Sequence, residues 1–217
     1  MRKITINLAA VAAFCIVVAS PALVSSSCAT PKTEQEDTTI IREDSGITAL
    51  KYSSPEVPAS IEFCGKTIDL SRFDRHERMD RELLAFTYMH STSLQMLKKA
   101  NRYFPIVEPI LKENGIPDDF KYLMVIESNM NPTARSSAGA AGLWQFMQGT
   151  GRDYGLEVNS NVDERYHIEK ATRAACRYLK DAYAKYKDWV AVAASYNAGQ
   201  ARIASQLAKQ DVDDSLD

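Results

Sequence analysis

Histidine and cysteine are scarce in this 217-residue chain, with three of the first and four of the second. His76, His90 and His167 stand apart without ligand spacing, and HERMD at 76–80 lacks the second histidine of a zinc-protease helix, so a metal site has no support. Cys15 and Cys28 fall in or at the edge of an apolar leader, which leaves Cys64 and Cys176. An oxidising compartment permits a bridge between those two, and a pair of buried thiols is the alternative. A basic excess is lacking as well: Lys and Arg number 26 against 28 Asp and Glu, and no basic patch stands out on any helix face, which argues against nucleic acid as a partner. Long apolar runs are confined to residues 8–24, where Ser20 and Pro21 interrupt them, so a membrane span is marginal. No convincing strand pairs and no cofactor-binding pattern stand out.

What is present reads as an exported helical protein. Arg2 and Lys3 precede the apolar stretch, small residues close it, and no acid occurs before Glu34, so residues 1–29 have the make-up of an export signal. Two processing outcomes compete: ordinary cleavage around Ser27-Cys28-Ala29, or lipidation of Cys28 as a membrane anchor, with Ser25 where an aliphatic residue is usual. The expected location is the periplasm or cell envelope, as a soluble protein or an outer-membrane lipoprotein. Without Arg2 and Lys3 the net charge moves from −2 to −4. The hydrophobic fraction of 45% and charged fraction of 25% are those of a globular domain.

Residues 30–75 are polar and aperiodic and read as a flexible tether or irregular arm, with a strand-like piece near Cys64. Amphipathic helices start near Glu77 and make an N-terminal helical extension over 76–106. A break at Gly115-Ile-Pro117 follows. Asp118 or Asp119 is placed to cap the helix carrying Tyr122 to Ser128, and Asn131-Pro132 to end it. A helix is expected at 143–147, a sharp turn at Gly149-Thr-Gly151, a long helix over 164–187, and a last pair flanking Asn197-Ala-Gly199. Ile168, Ala171, Ala175, Tyr178, Leu179 and Tyr183 form the inward stripe of the long helix. The fold class is all-α.

Glu127 is the most telling residue. It ends the apolar run FKYLMVI, and Met124, Leu123 and Phe120 share its helix face, so the carboxyl leaves on the greasy side. Desolvation penalises a charged carboxylate and raises its pKa, which suits a general acid near neutral pH. A helix-terminal Glu that finds a partner or turns to solvent is the bland alternative. Asp153, Asp163 and Glu164 sit beside Arg152 and Arg165 and read as surface or pairing residues.

The Glu127-Ser128 pair is followed fifteen residues later by GLWQFM at 142–147, and about fifty further by ASYNAG at 194–199. In this order and spacing the three elements resemble the catalytic domain of Slt-type lytic transglycosylases, related to goose-type lysozyme in glycoside hydrolase family 23, over roughly residues 107–208. The run from Gly115 to Leu156 most resembles the membrane-bound lytic transglycosylase D branch. The resemblance implies a lysozyme-like helical lobe acting on peptidoglycan glycan strands, with no cofactor. It implies that Glu127 protonates the oxygen between N-acetylmuramic acid and N-acetylglucosamine, then deprotonates the muramyl C6 hydroxyl to close a 1,6-anhydro ring, with help from the N-acetyl group. Substrate-side roles follow for Ser128, Gln145, Met147, Tyr196 and Asn197, with Phe146 beside Met147 as apolar wall. Gly142 admits close backbone approach to the acid's helix or a sugar, and Gly199 a left-handed cap.

Residues 209–217 form a tail, and the aromatic cleft helix that the resemblance implies beyond the last motif has no counterpart, so the sequence reads as truncated there. A goose-type lysozyme and a non-catalytic peptidoglycan-binding protein are the competing readings. Oligomeric state is open.

Overall fold

The computed structural model describes residues 55–198 and Ser205, with residues 197 and 198 in their backbone alone. The expected leader, Cys28, Gly199 and the 209–217 tail lie outside the described residues. Six α-helices dominate the described residues, in keeping with the all-α expectation.

One departure comes first in the chain. Residues 60–69, within the expected arm, form an antiparallel hairpin of β1 (Ser60–Phe63) and β2 (Lys66–Asp69), with Ser60 opposite Asp69 and Phe63 opposite Lys66. No strand pair was expected, and the connecting dipeptide is Cys-Gly rather than Asn-Gly. Its two residues nonetheless adopt φ of 52° and 77°, the pair of positive values that a tight two-residue hairpin turn demands. Long-range contacts stabilise it. The Cys64 N–H donates to Asp119 Oδ2 at 2.7 Å across 55 residues, and Phe63, 3% exposed, meets Phe120 with ring centroids 6.0 Å apart. Asp119→Ala removes a charged acceptor from that amide. The expected result is a loss of about 1–2 kcal/mol in thermal unfolding and faster hydrogen exchange at Cys64; an unchanged melting curve would show that the bond adds nothing.

Helix α1 (Phe73–Tyr88) begins slightly before the expected Glu77 and buries Met79 and Leu83 against Leu70, with Val57, Ile61 and Ile68 of the hairpin side around them. Helix α2 (His90–Glu113) runs unbroken through the expected junction at 106/107, with Pro105 and Pro109 inside it. Its buried stripe of Ala100, Tyr103, Phe104, Val107, Ile110 and Leu111 carries the main core. The end is a Schellman closure: Ile116 N–H reaches the Leu111 carbonyl at 3.0 Å, Gly115 N–H reaches that of Lys112 at 3.0 Å, and Gly115 takes φ 66°.

A 3₁₀ turn (Asp118–Tyr122) leads into the short α3 (Leu123–Ser128). Neither aspartate caps it. Asp118 instead joins Glu108 in holding the buried Lys121 ammonium, while Asp119 serves the hairpin. The helix ends where Asn129 and Met130 both turn left-handed, at φ 50° and 52°, ahead of Asn131-Pro132.

Two expectations are reversed downstream. Residues 141–146 are a turn rather than a helix, closed by Ala141 N–H on the Phe146 carbonyl at 3.0 Å, with Gly142 at φ 78° and Gln145 at φ 48°. Residues 149–151 are helical within α4 (Gln148–Asp153). The expected single helix over 164–187 is split by His167, whose extended backbone separates a 3₁₀ turn (Glu164–Tyr166) from α5 (Ile168–Tyr186). Ala171, Ala174, Ala175, Cys176, Leu179, Ala182 and Tyr186 form the buried face of α5, which packs on α2 and on α6 (Trp189–Ala198). Small residues predominate on that face and let the helices approach closely. Cys64 and Cys176 form no disulfide, and burial pushes the Cys176 thiol up to about 11.

Candidate functional site

Helix α3 delivers Glu127 to the edge of its buried face. Phe120, Leu123 and Met124 are buried beneath it, while Ile126, Glu127 and Ser128 are partly exposed. The carboxyl therefore borders apolar core on one side and accessible surface on the other.

Tyr196, on α6, feels the charge of the Glu127 carboxylate. Burial first, and then the Glu127 carboxylate, hold its phenol well above the ordinary value of 10.0. It keeps its proton throughout the physiological range and donates it to the Trp144 carbonyl at 2.9 Å. Its ring stands edge-on to Trp144, Phe146 and Tyr178, at centroid distances of 6.4, 6.5 and 5.2 Å. Tyr196 is thus fixed at both ends beside the acid.

The turn at 142–146 lies between these two helices and is tied to each through its backbone carbonyls. Ser128 Oγ lies 2.9 Å from the Met124 carbonyl and 3.0 Å from that of Leu143, and its single proton serves one or the other. It therefore joins α3 to the turn instead of capping the helix. Tyr196 takes the carbonyl of the next residue, Trp144, whose own indole N–H donates to Thr172 Oγ1 at 3.0 Å in the buried interior. Gln145 Nε2 donates to the carbonyls of Gly142 at 2.8 Å and Ala134 at 3.3 Å, which holds the amide across the turn and leaves Oε1 without a donor among the described residues. A Cβ on Gly142 would lie 1.9 Å from the Arg165 carbonyl oxygen, so the close approach is to the 3₁₀ turn before α5.

Of the residues singled out from sequence, Glu127, Ser128, Gln145 and Tyr196 come together around this turn. Phe146 is buried behind Tyr196. Met147 follows at the start of α4 and is 45% exposed, a thioether offered to solvent on the rim. The Asn197 side chain lies outside the described residues.

Arg165 is the participant that sequence reasoning passed over. It is 5% exposed and makes four side-chain hydrogen bonds: Nε and Nη2 to the two oxygens of Asp163 at 2.9 and 2.7 Å, and Nη1 to the carbonyls of Gly139 at 2.8 Å and Phe146 at 3.0 Å. Asp163 and Arg165 move each other's pKa in the directions of a tight ion pair, down for the acid and up for the base. The signal available in sequence was the Asp-x-Arg spacing, in which one carboxylate can both cap a turn and receive a guanidinium fork. Glu164 is engaged elsewhere, accepting from Lys170 and from the Glu157 N–H. These two acids accordingly behave as the pairing residues they were expected to be. The arrangement offers one carboxyl at an apolar edge, a neutral phenol beside it, and a rigid turn carrying an amide: equipment for proton transfer to a bound polar ligand.

Comparison with known proteins bears on this geometry. The Transglycosylase SLT domain family model matches residues 105–215. The membrane-bound lytic murein transglycosylase D of Escherichia coli is 31% identical over 128 residues, which cover 58% of this chain and 27% of that protein. The peptidoglycan transglycosylase of Escherichia phage T7 is 33% identical over 93 residues, 42% of this chain and 7% of that protein. The chain thus spans about a quarter of the length of the first relative and a small part of the second.

Proposed function

The chain belongs to the Transglycosylase SLT domain family, and from that premise we propose that it is a peptidoglycan lytic transglycosylase of the cell envelope with Glu127 as its single acid and base. The observation that carries the proposal is the setting of this one carboxyl. Glu127 sits where apolar core meets accessible surface, next to a phenol that stays protonated, while Asp163 and Glu164 are held by Arg165 and Lys170.

A lone carboxyl suffices when the attacking group is the substrate's own. Glu127 protonates the glycosidic oxygen between N-acetylmuramic acid and N-acetylglucosamine, and the C1–O bond breaks with departure of the N-acetylglucosamine hydroxyl. The muramyl C6 hydroxyl then attacks C1 and gives its proton to the Glu127 carboxylate, which restores the acid. Water is neither consumed nor released, and one new end carries a 1,6-anhydro ring. A single group serves in both directions because each step leaves it in the state that the next requires.

Ser128, Gln145, Met147, Tyr196 and Asn197 are assigned to the glycan side of the cleft. Gln145 Oε1 suits a sugar hydroxyl or the acetamide N–H, and the exposed Met147 thioether suits a ring face. Residues 107–208 are the catalytic unit in this reading, with the helical extension before it and an export signal at residues 1–29 that ends in ordinary cleavage or in lipidation of Cys28.

Purified peptidoglycan incubated with the full chain, followed by mass spectrometry of the released muropeptides, tests the reaction. Muropeptides lighter by one water than their reducing counterparts are expected. Reducing muramyl ends would make the protein a hydrolase, and a folded protein that releases nothing would leave it a binder.

A further inference from the structure

Arg165 touches the site-bearing loop at several points. Nη1 holds the Gly139 carbonyl before the turn and the Phe146 carbonyl at its end, the Arg165 backbone oxygen occupies the space a Cβ on Gly142 would need, and its Cγ and Cδ lie beside Gly151 on α4. Asp163 receives the other side of the guanidinium through both oxygens, so the plane of the fork is fixed before it meets the loop. A buried cation is costly unless its donors are satisfied in good geometry, and here all three guanidinium nitrogens are engaged. The turn it holds includes Gln145 at φ 48°, a value that a non-glycine residue adopts only when its surroundings dictate it.

We infer that Arg165, oriented by Asp163, is a positioning residue that sets the 142–146 turn so that Gln145 meets the glycan next to Glu127. The inference rests on the transglycosylase reading above and deepens it. Lysine cannot replace the arginine, because one ammonium cannot face two loop carbonyls while forking onto a carboxylate.

The test is a double-mutant cycle on the full-length protein with soluble glycan strands as substrate. KM and kcat are measured for wild type, Gln145→Ala, Arg165→Lys and the double variant, with circular dichroism as the check on folding. If Arg165 acts through Gln145, either single change raises KM by about tenfold and the double is no worse than the worse single. Asp163→Ala supplies the same cycle should Arg165→Lys fail to fold. Asp119→Ala, which weakens the distant hairpin, serves as the structural control whose effect multiplies with that of Gln145→Ala. Multiplying effects for Arg165→Lys and Gln145→Ala, or an Arg165→Lys protein with wild-type KM and only a lower melting temperature, would overturn the inference alone. A wild-type protein that forms no anhydromuramyl ends would overturn the functional reading and this inference with it.

Discussion

Glu127→Gln is expected to lower turnover on peptidoglycan by about a thousandfold or more while the protein stays folded. The amide has the size and shape of the carboxyl but neither gives nor takes a proton at neutral pH, and in the proposed reaction the same group acts twice. Loss of the acid step leaves the leaving oxygen unprotonated, and loss of the base step leaves the C6 hydroxyl a poor nucleophile. Folding should not suffer, because Glu127 is only partly buried at the end of α3 and the helix is anchored by Phe120, Leu123 and Met124 beneath it. Binding of glycan strands should persist, since the turn, Tyr196 and Met147 are untouched. Anhydromuramyl release and melting temperature measured on the same preparation decide the matter: turnover near wild type from a well-folded variant would remove Glu127 from the mechanism. An unfolded variant would point to a structural role for the carboxyl.

The helices that were legible from sequence are those whose apolar period is long and strong. Helices α2 and α5 each bury a continuous stripe, and their existence follows from that stripe whatever else the chain does. The elements read in reverse have local sequences that speak for one conformation and tertiary contacts that enforce another. LWQFM has the composition of a helical turn, yet Trp144 is tied to Tyr196 across 52 residues and Phe146 to Arg165 across 19, and those bonds require the carbonyls to point outward from a turn. GTG has the composition of a turn, yet it lies within α4, where Arg165 Cγ and Cδ pack beside Gly151. The hairpin was missed for a related reason, since its Cys-Gly turn is supported from Asp119, a residue far away in the chain. The juxtaposition of Glu127, Ser128, Gln145 and Tyr196 was legible because their motifs carry them together in fixed order. Arg165 was not, because its neighbour Asp163 made it look like half of a surface pair, and nothing local reveals that its remaining donors reach Gly139 and Phe146.

Among the described glycines, Gly142→Ala should be the most damaging addition of a methyl group. A Cβ at residue 142 would stand 1.9 Å from the Arg165 carbonyl oxygen and 2.8 Å from its carbonyl carbon, and backbone at that point cannot swing aside as the end of a side chain would. The φ of 78° adds the ordinary penalty for an L-residue in the left-handed region, about 1–2 kcal/mol. Gly139→Ala isolates that penalty, because Gly139 has φ 91° and nothing within 4 Å of its would-be Cβ. A drop of roughly 3 °C in melting temperature is expected for Gly139→Ala, and about 10 °C or more for Gly142→Ala, where overpacking against backbone adds a few kcal/mol to the conformational cost. The functional consequence follows from what the turn carries. To relieve the clash, residues 142–146 must draw away from the 3₁₀ turn before α5, which pulls the Leu143 carbonyl from Ser128 and the Trp144 carbonyl from Tyr196. Glu127 and Gln145 then lose their common frame, so activity should fall even at temperatures where Gly142→Ala is folded, whereas Gly139→Ala should retain it there. Equal losses of stability in the two variants would mean that the approach of Gly142 to Arg165 is not what holds the turn.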